Sequence, residues 1–366
     1  MRELRVDRTA THLRAAVVED GRLTDLMVDR LDRPSRLGAI HLGRVGRLMP
    51  ELNAAFVDLG DGTDGYLAAG DVPGGGDVGR ALASGRSVVV QVKAEAAAGK
   101  AATLTAQPSL TGRLVVHLPA GRGVQVSKRL AEPGRGALRA ALEAAGLGGG
   151  WIVRSAAAAV PAEAVLAEAA ALAAEWRGLA AAGGSPRVLR PAPDAARRAW
   201  QEWGAGLDGI LAAADAWPAL RDLGAARWDG PGALFDRDDI EGAIAALARP
   251  EVPLGEGGSL VIEPTTALVA VDVNGGAKGR ALPINLAAAA ELARQLRLRN
   301  LAGMVLVDFI DMPAAGRERV VATLRRAVAD DPAGVDLHGW TRLGLYELTR
   351  RRRGPSLAET MGEGDR

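Results

Sequence analysis

Two aspartates and one asparagine are the clearest candidates for chemistry in this chain. Asp272 and Asn274 follow the apolar run 267–271, and Asp308 ends a second apolar run at 303–307. Carboxylate and amide oxygens are the ligands that Mg²⁺ prefers in proteins. A bound Mg²⁺ holds a phosphate oxygen and activates a water molecule, so these residues favour metal-assisted phosphate chemistry. The alternative is that the two acids only cap their strands or face solvent.

Two strands and a helix must position these groups. The runs 267–274 and 303–312 are rich in β-branched residues and predict buried strands, whereas 285–300 has apolar residues at helical spacing. A strand, a helix and a strand in this order form a βαβ unit with parallel strands. Because ligands of such sheets bind near the carboxyl ends of the strands, we expect Asp272 and Asp308 to converge on one crevice.

Side-chain alternation along the first strand places Ala270, Asp272 and Asn274 on one face. The crevice would then receive two carboxylates and an amide oxygen. Two nearby acids keep open alternatives: Glu263 either supports the metal ligands or faces solvent, and Asp311 either takes part in the chemistry or caps the next helix.

Composition excludes several classes of protein. The chain has 366 residues, of which 48% are hydrophobic, enough for several domains with sizeable cores. It has no cysteine, so disulfides and thiolate metal sites are excluded and no zinc is expected. The longest apolar stretch is interrupted by charges, and residues 1–36 lack the apolar core of a signal peptide. We therefore expect a cytoplasmic protein without a membrane span.

The charge distribution leaves two interpretations open. The net charge of +1 does not indicate a polyanionic partner. The basic residues are nearly all arginine, however, and they gather at 294–299 and 350–353. These arginines either offer bidentate forks to phosphate or belong to an Ala-, Gly- and Arg-rich composition that reflects a GC-rich genome.

The first third of the chain reads as β structure. Residues 1–37 predict a hairpin that turns at Asp20 and Gly21. Between residues 39 and 109, short strand patterns alternate with glycine-rich turns, which suggests a small barrel of the OB type. Its predicted strands are 40–45, 54–59, 65–67, 88–92 and 102–105.

The middle of the chain mixes element types. Strand patterns at 113–118 and 149–155 precede an alanine-rich helical stretch at 161–181. The segment 183–193 is rich in glycine and proline and reads as a linker. Helical and loop material then continues to about residue 253, where the βαβ unit begins.

Two groups of motifs resemble the ribonuclease E/G family. Gly43-Arg44-Val45, the run 53–60 and Gly65-Tyr66-Leu67 resemble the S1-like RNA-binding barrel of that family. The catalytic core of the family is resembled in five later runs, which are 262–265, 271–274, 293–299, 307–312 and 344–350. The resemblance covers most of residues 1–356 in the family's order.

The resemblance implies an α+β multidomain fold. An S1-like OB barrel at 39–110 would be inserted in a ribonuclease H-like region made of 1–38 and 187–255. A 5′-sensor module would occupy 111–186, and a DNase I-like α/β catalytic domain would occupy 256–366.

The resemblance also implies an activity. Family members cleave single-stranded RNA endonucleolytically, in ribosomal RNA processing or messenger RNA decay, and leave 5′-phosphate and 3′-hydroxyl products. Asp272 and Asp308 would hold one Mg²⁺ as catalytic ligands, and Asn274 would assist.

RNA contacts are implied outside the catalytic core. Phe56 and Tyr66 match the family's base-stacking positions and Lys100 matches its basic position. Exposed rings stack on any unpaired base, which predicts weak sequence preference. The alternative is that Phe56 belongs to the core of the barrel.

A pocket for a 5′-terminal monophosphate is implied as well. Gly112 and Val116 match it through their backbones, and Arg154 and Ser155 match it through their side chains. An arginine beside a hydroxyl suits phosphate, although Ser155 stands where the family usually has threonine. The alternative for Arg154 is an ordinary exposed arginine at a strand end.

The chain departs from the family after the arginine-rich stretch. The zinc-linking Cys-x-x-Cys is missing, so the chain resembles the short, ribonuclease G-like form, and any homodimer would not be linked by zinc. The loop 274–285 is also shorter than usual. These departures keep open an RNA-binding protein of the same fold with weakened or lost nuclease activity. A third alternative is a metal-dependent phosphohydrolase acting on small nucleotides, for which the barrel would have no purpose.

Overall fold

A computed structural model of the chain describes residues 1–95, 101–128, 130–204, 206–254, 257–275 and 281–362. The chain divides into two compact units. Unit 1 combines Met1–Arg33 with Asp208–Arg366, and unit 2 is the continuous stretch Pro34–Leu207. Unit 2 is therefore an insertion in the sequence of unit 1.

Short strands dominate both units. The strands are β1 (Arg2–Arg8), β2 (His12–Glu19), β3 (Arg22–Arg30), β4 (Ile40–Met49), β5 (Ala54–Asp58), β6 (Asp64–Ala68), β7 (Ser87–Ala94), β8 (Ala102–Thr105), β9 (Leu110–Thr111), β10 (Val115–Leu118), β11 (Gly123–Val126), β12 (Gly150–Val153), β13 (Arg187–Arg190), β14 (Gly209–Ala212), β15 (Ala226–Arg227), β16 (Glu251–Pro253), β17 (Gly258–Pro264), β18 (Val269–Gly275), β19 (Gly303–Asp308), β20 (Val335–Trp340) and β21 (Tyr346–Arg350).

The helices are fewer and mostly short. The α-helices are α1 (Val78–Ala81), α2 (Gly134–Ala144), α3 (Ala162–Ala180), α4 (Ala195–Trp203), α5 (Ile240–Ala246), α6 (Ala281–Leu298), α7 (Ala314–Val328) and α8 (Leu357–Met361). Short 3₁₀ helices lie at Pro50–Leu52, Ala69–Asp71, Ser155–Ala159, Trp217–Leu223 and Leu234–Asp239. None of the described helices combines the length and the apolar character that crossing a bilayer requires.

The first sheet of unit 1 has the strand order β15-β14-β1-β2-β3. Strands β2 and β3 form the predicted hairpin, and its turn places Asp20 and Gly21 at φ values of 48° and 78°, which suits an Asp-Gly pair. The prediction of only helices and loops between 193 and 253 is wrong, because β14, β15 and β16 lie there. None of these three strands exceeds four residues, which is too short for a visible alternation.

The second sheet of unit 1 has the order β16-β17-β18-β19-β21-β20. Strands β18 and β19 are parallel and joined by α6, so the predicted βαβ unit is confirmed. Helices α6 and α7 both pack on one face of this sheet, through buried residues spaced by four: Ile284, Ala288, Leu292 and Leu296 on α6, and Val320, Leu324 and Val328 on α7. The opposite face carries exposed side chains, including Met304, and no described helix covers it.

In unit 2, strands β4 to β8 form a closed barrel in the order β4-β5-β6-β8-β7, with β7 pairing back to β4. The predicted five-stranded barrel is thus confirmed, and its interior is filled by apolar residues such as Val57, Leu67, Val90 and Leu104. The predicted linker 183–193 is wrong in part, because β13 lies within it and pairs with β4.

The rest of unit 2 is a sheet with the order β11-β12-β10-β9 and a core shared with α2 and α3. The predicted strands 113–118 and 149–155 correspond to β10 and β12, and the predicted helix 161–181 corresponds to α3. Helix α2 and strand β11 were not predicted. The further division of the two units into four domains stays a prediction.

Candidate metal centre and RNA-binding surfaces

Asp272 and Asp308 lie side by side on the parallel strands β18 and β19. They are register partners, so their side chains leave the sheet on the same face. Both aspartates are exposed, whereas the adjacent Val271, Val273 and Val307 are buried on the face that α6 and α7 cover. The structure therefore brings the two carboxylates together on the opposite face of the sheet, which no described helix covers and which we call the bare face. Asp272 lies inside its strand rather than beyond its end.

Asn274 lies on the same face, two residues after Asp272. Its Nδ2 donates a hydrogen bond to Asp272 Oδ2 at 2.9 Å, which fixes the carboxylate relative to the strand end. Across the part of the chain that the structure describes, no group of three or more His, Asp or Glu side chains is arranged to hold a metal ion. An ion at this point would therefore be held by two carboxylates, the amide oxygen and water, as is usual for Mg²⁺.

Asn285 holds the loop that follows Asp308. It is fully buried near the start of α6, its Nδ2 donates to the Ile310 carbonyl at 2.8 Å, and its Oδ1 accepts from the Ile310 amide at 3.1 Å. These bonds satisfy backbone groups that have lost their ladder partners where β19 ends. Sequence reasoning missed this role. The available signal was an amide side chain on the apolar face of a helix, next to Ile284.

The two neighbouring acids have different positions. Glu263 is exposed on the bare face, where it is the register partner of Ala270. Asp311 is exposed in the loop before α7. The alternative that Asp311 caps this helix is wrong, because the N-cap residue is Pro313 and no side chain caps the helix start.

Phe56 and Tyr66 form an aromatic pair on the outside of the barrel. They are register partners on β5 and β6, and their ring centroids lie 6.1 Å apart in an edge-to-face arrangement. Both rings are half-buried, while the neighbouring Ala55 and Val57 point into the barrel interior. Phe56 therefore lies outside the core. Lys100 lies outside the described residues, so its place beside the rings stays a prediction.

The four residues predicted to sense a 5′-phosphate lie around the turn between β9 and β10. Arg154 Nη1 donates to the Gly112 carbonyl at 3.0 Å. Val116 pairs with Thr111, the residue before Gly112. Ser155 follows Arg154 and begins a 3₁₀ helix. The arginine is thus fixed to this turn, and its role in sensing phosphate stays a prediction.

A carboxylate that sequence reasoning missed lies at the same turn. Glu168 of α3 accepts hydrogen bonds from the amides of Leu114 and Val115 at 2.7 and 3.1 Å. A Cβ at Gly112 would lie 2.2 Å from its Oε1, so glycine is required there unless this carboxylate moves. Glu168 is 54 residues away from Leu114 in the chain, and no local pattern links the two.

Three of the arginines that drew attention in the sequence form close ion pairs within unit 1. Arg297 pairs with Asp25 of β3 at 2.7 Å, and Arg294 also pairs with a carboxylate. Arg350 is 4% exposed and pairs with the buried Asp331 at 2.8 Å. Since these charges are already neutralised, the phosphate-binding interpretation does not apply to these three side chains.

Two histidines of unit 2 are buried in structural positions. His41 Nδ1 lies 3.1 Å from the Leu59 carbonyl, and the His117 ring stacks on Trp151 with centroids 4.2 Å apart. Burial lowers the pKa of both imidazoles below its ordinary value. Both rings are therefore held in the neutral form at neutral pH.

Comparison with known proteins finds relatives of nearly the whole chain. Residues 109–205 and 220–353 match the sequence profile of the ribonuclease E/G family. The chain is 34% identical to the Ribonuclease E of Nostoc sp. (strain PCC 7120), 32% to the Ribonuclease E of Escherichia coli (strain K12) and 31% to the Ribonuclease G of Salmonella typhimurium (strain SL1344). These matches cover 95–96% of this chain.

The same matches cover different shares of the relatives. The chain spans 56% of the Nostoc protein and 36% of the Escherichia coli Ribonuclease E, but 80% of the Salmonella Ribonuclease G. It thus spans about half or less of these two ribonuclease E proteins and most of the ribonuclease G. The similarity includes both units of the structure.

Proposed function

This chain belongs to the ribonuclease E/G family, and from that premise we propose that it is an Mg²⁺-dependent endoribonuclease that cuts single-stranded RNA. The observation that carries the proposal is the register pairing of Asp272 with Asp308 on the bare face of a sheet. Two carboxylates at paired positions on neighbouring strands repel each other, because both carry negative charge. A bound cation would remove this repulsion.

The donor set fits Mg²⁺. Asp272 and Asp308 would hold the ion and Asn274 would assist, all three offering hard oxygen atoms from rigid strands. When bound, the ion would neutralise charge on the phosphate and lower the pKa of a water molecule.

The reaction is hydrolysis of one phosphodiester bond. A water oxygen bonds to phosphorus, the bond from phosphorus to the 3′ oxygen breaks, and that oxygen leaves as a hydroxyl after it takes up a proton. The phosphate stays on the 5′ end of the downstream product. The role of the protein is to hold the phosphate and the carboxylates in place, and Asn285 contributes by fixing the loop at Ile310.

RNA binding is assigned to unit 2. Phe56 and Tyr66 present rings on the outside of the barrel, where each stacked base contributes on the order of 1–3 kcal/mol. Lys100 would add a backbone contact. Gly112, Val116, Arg154 and Ser155 would receive a 5′-monophosphate, with Arg154 already oriented by the Gly112 carbonyl. The physiological substrates would be ribosomal RNA precursors or messenger RNA in the cytoplasm.

The test is cleavage of a 5′-monophosphorylated, A/U-rich, single-stranded oligonucleotide with and without Mg²⁺. The wild-type chain should cut it only with Mg²⁺, and Asp308→Asn should lose cleavage by more than about 100-fold because a metal ligand is lost. RNA binding by this variant should persist. Asp336→Asn is the matched control, since Asp336 is an exposed carboxylate on edge strand β20 of the same sheet and should not affect cleavage.

Other outcomes identify other functions. Full cleavage by Asp308→Asn contradicts the metal assignment. RNA binding without any cleavage by the wild-type chain favours an RNA-binding protein with lost nuclease activity. Hydrolysis of small nucleotides without RNA binding favours a phosphohydrolase.

A further inference from the structure

The tip of the β20–β21 hairpin, residues 341–345, lies at the end of the strands where β19 reaches Asp308. Tyr346 is the register partner of Val307, so the residue before Tyr346 lies level with Asp308 on the adjacent strand. Neighbouring strands are about 5 Å apart, and the tip extends two or three residues further. The hairpin tip is therefore roughly 10 Å from the proposed metal ligand.

The backbone of the tip is held by one side chain. The Thr341 hydroxyl accepts hydrogen bonds from the amides of Leu343 and Leu345 at 3.2 and 3.1 Å, and the Thr341 amide donates to the Leu345 carbonyl at 2.7 Å. Arg342 and Leu343 at the tip are exposed, and Leu343 is 89% exposed, which is unusual for a leucine. The tip thus presents these side chains to solvent from a fixed backbone.

A second arginine is held beside the tip. Arg317, in the first turns of α7, has its guanidinium 4.7 Å from the centroid of the Trp340 ring. Trp340 is itself packed against Tyr346, with ring centroids 5.1 Å apart. Arg317 Nη2 lies 3.9 Å from the point that a Cβ would occupy at Gly344. Stacking on a fixed ring therefore places this guanidinium next to the tip.

These two arginines differ from Arg297 of α6 and Arg350 of β21. Arg297 and Arg350 form ion pairs at 2.7 and 2.8 Å. Among the described residues, no carboxylate lies within ion-pair distance of Arg317 or Arg342, although Asp311 and Glu347 are exposed nearby in the sequence. Two guanidinium groups without a carboxylate partner thus lie at the strand ends beyond Asp308, with Arg317 on the side of the sheet that α7 covers.

We propose that Arg317 and Arg342 form a clamp for backbone phosphates of single-stranded RNA, next to the phosphate that is cut. The inference rests on the proposed function. A planar guanidinium binds phosphate oxygens in a bidentate manner, and stacking on Trp340 lowers the conformational entropy that Arg317 loses on binding. The clamp would hold the RNA strand as it passes over the edge of the sheet beyond Asp308.

The test measures RNA binding in EDTA, where no cleavage interferes. The probe is a fluorescent single-stranded A/U-rich oligonucleotide, and its affinity is measured over a series of salt concentrations. Arg317→Met keeps an apolar stem over Trp340 and removes the charge. Arg342→Met removes the charge at the tip, and Arg317→Lys keeps a charge without the planar fork. Arg326→Met is the matched control, because Arg326 is an exposed arginine further along α7.

We expect Arg317→Met and Arg342→Met each to reduce the slope of log affinity against log salt by about 0.7–1, as for one lost phosphate contact. Affinity should fall about 3- to 10-fold at moderate salt, Arg317→Lys should lie in between, and Arg326→Met should match wild type. Unchanged slopes in both clamp variants, or an equal loss in Arg326→Met, overturn the proposal. Thermal unfolding of each variant shows whether it is folded.

The binding assay separates this proposal from the nuclease proposal. If the wild-type chain cuts RNA but the clamp variants bind normally, only the clamp is wrong. If the clamp variants lose affinity but no variant of the chain cuts RNA, only the nuclease assignment is wrong. Absence of RNA binding by the wild-type chain overturns the clamp.

Discussion

In the barrel of unit 2, five strands close on themselves, whereas the six-stranded sheet of unit 1 stays open. Within the described ranges, helices pack on only one of its faces. Closure leaves the barrel with an apolar interior and an outer surface for contacts, where Phe56 and Tyr66 lie. The open sheet instead buries one side of each strand under α6 and α7 and leaves the other side bare, where Asp272 and Asp308 lie.

Under the proposed function, this difference assigns RNA binding to the barrel and the cleavage chemistry to the open sheet. Stacking on a ring tolerates small changes in position, so a convex barrel surface is sufficient for it. Two ligands of one ion must stay within a fraction of an ångström of their places, and paired strands backed by packed helices provide that rigidity. If this comparison holds, substitutions in the two regions should change different parameters.

After Asp308→Asn, the largest loss of cleavage without loss of RNA binding should come from Asn285→Ala. The substitution leaves the amide and carbonyl of Ile310 unpaired at a cost of about 1–3 kcal/mol each, and it frees the loop after Asp308. We expect RNA cleavage to fall about 10- to 100-fold with little change in RNA affinity. Steady-state kinetics and binding in EDTA measure the two quantities. Equal losses in both would remove the distinction between the two regions.

Closure of the barrel can be tested at a glycine. A Cβ at Gly65 would lie 2.5 Å from Leu104 Cδ1 across β6 and β8, so Gly65→Ala overpacks the barrel. We expect a loss of about 1–3 kcal/mol in the free energy of unfolding. Gly70→Ala is the control, because no atom lies within 4 Å of its Cβ position. Urea denaturation compares them, and a neutral Gly65→Ala would argue against tight closure.

Substitution in the aromatic pair should change RNA affinity and leave the cleavage rate unchanged, the reverse of Asn285→Ala. Phe56→Ala should weaken binding of single-stranded RNA by about 1–3 kcal/mol, which is about 5- to 150-fold, and leave the maximal rate of cleavage unchanged. Phe56→Leu keeps an apolar side chain without the ring and should lose most of the same affinity. Anisotropy titrations and initial rates give both values. A lower maximal rate with normal affinity would contradict the assignment of binding to the barrel.

The smallest expected effect is on pH dependence, and it concerns unit 2. Burial lowers the pKa of His41, so the folded chain binds this proton less readily than the unfolded chain. The stability contributed by neutral His41 is complete above the ordinary histidine pKa of about 6.5. It is lost as pH falls from there towards the lowered pKa of the folded chain, by at most about 1.4 kcal/mol per pH unit. His41→Asn keeps an amide donor for the Leu59 carbonyl and should reduce this loss. Thermal unfolding between pH 7.5 and 5 provides the measurement. If the variant loses as much stability at acid pH as the wild type, His41 is not the cause of this loss.

The elements that position the candidate site were predictable where side chains follow a clear period. Valine-rich runs around Asp272 and Asp308 and helical spacing in α6 identified the βαβ unit, and parallel strands in register then placed the two carboxylates together. Alternating short strands and glycine-rich turns predicted the barrel for the same reason. In both regions, local patterns and the final fold agree.

What could not be predicted depends on distant partners. Asn285 is hydrogen-bonded to the backbone of Ile310, and Glu168 accepts a hydrogen bond from the amide of Leu114. Neither contact can be read from a local sequence pattern. Strands β13 to β16 were missed because each has at most four residues. Strands this short show no alternation of their own and form only by pairing with a neighbouring strand. Arginines at the end of α6 were ambiguous because their charge partners lie elsewhere in the chain.

The insertion of unit 2 has a consequence for the order of events on the ribosome. The first sheet of unit 1 needs β14, which begins at Gly209 and pairs with β1 from the start of the chain. Residues 34–207 are continuous and emerge before β14, so this unit can fold while β1 to β3 still lack their partner. The edge of β1 that pairs with β14 therefore stays unpaired until more than half of the chain has been synthesised.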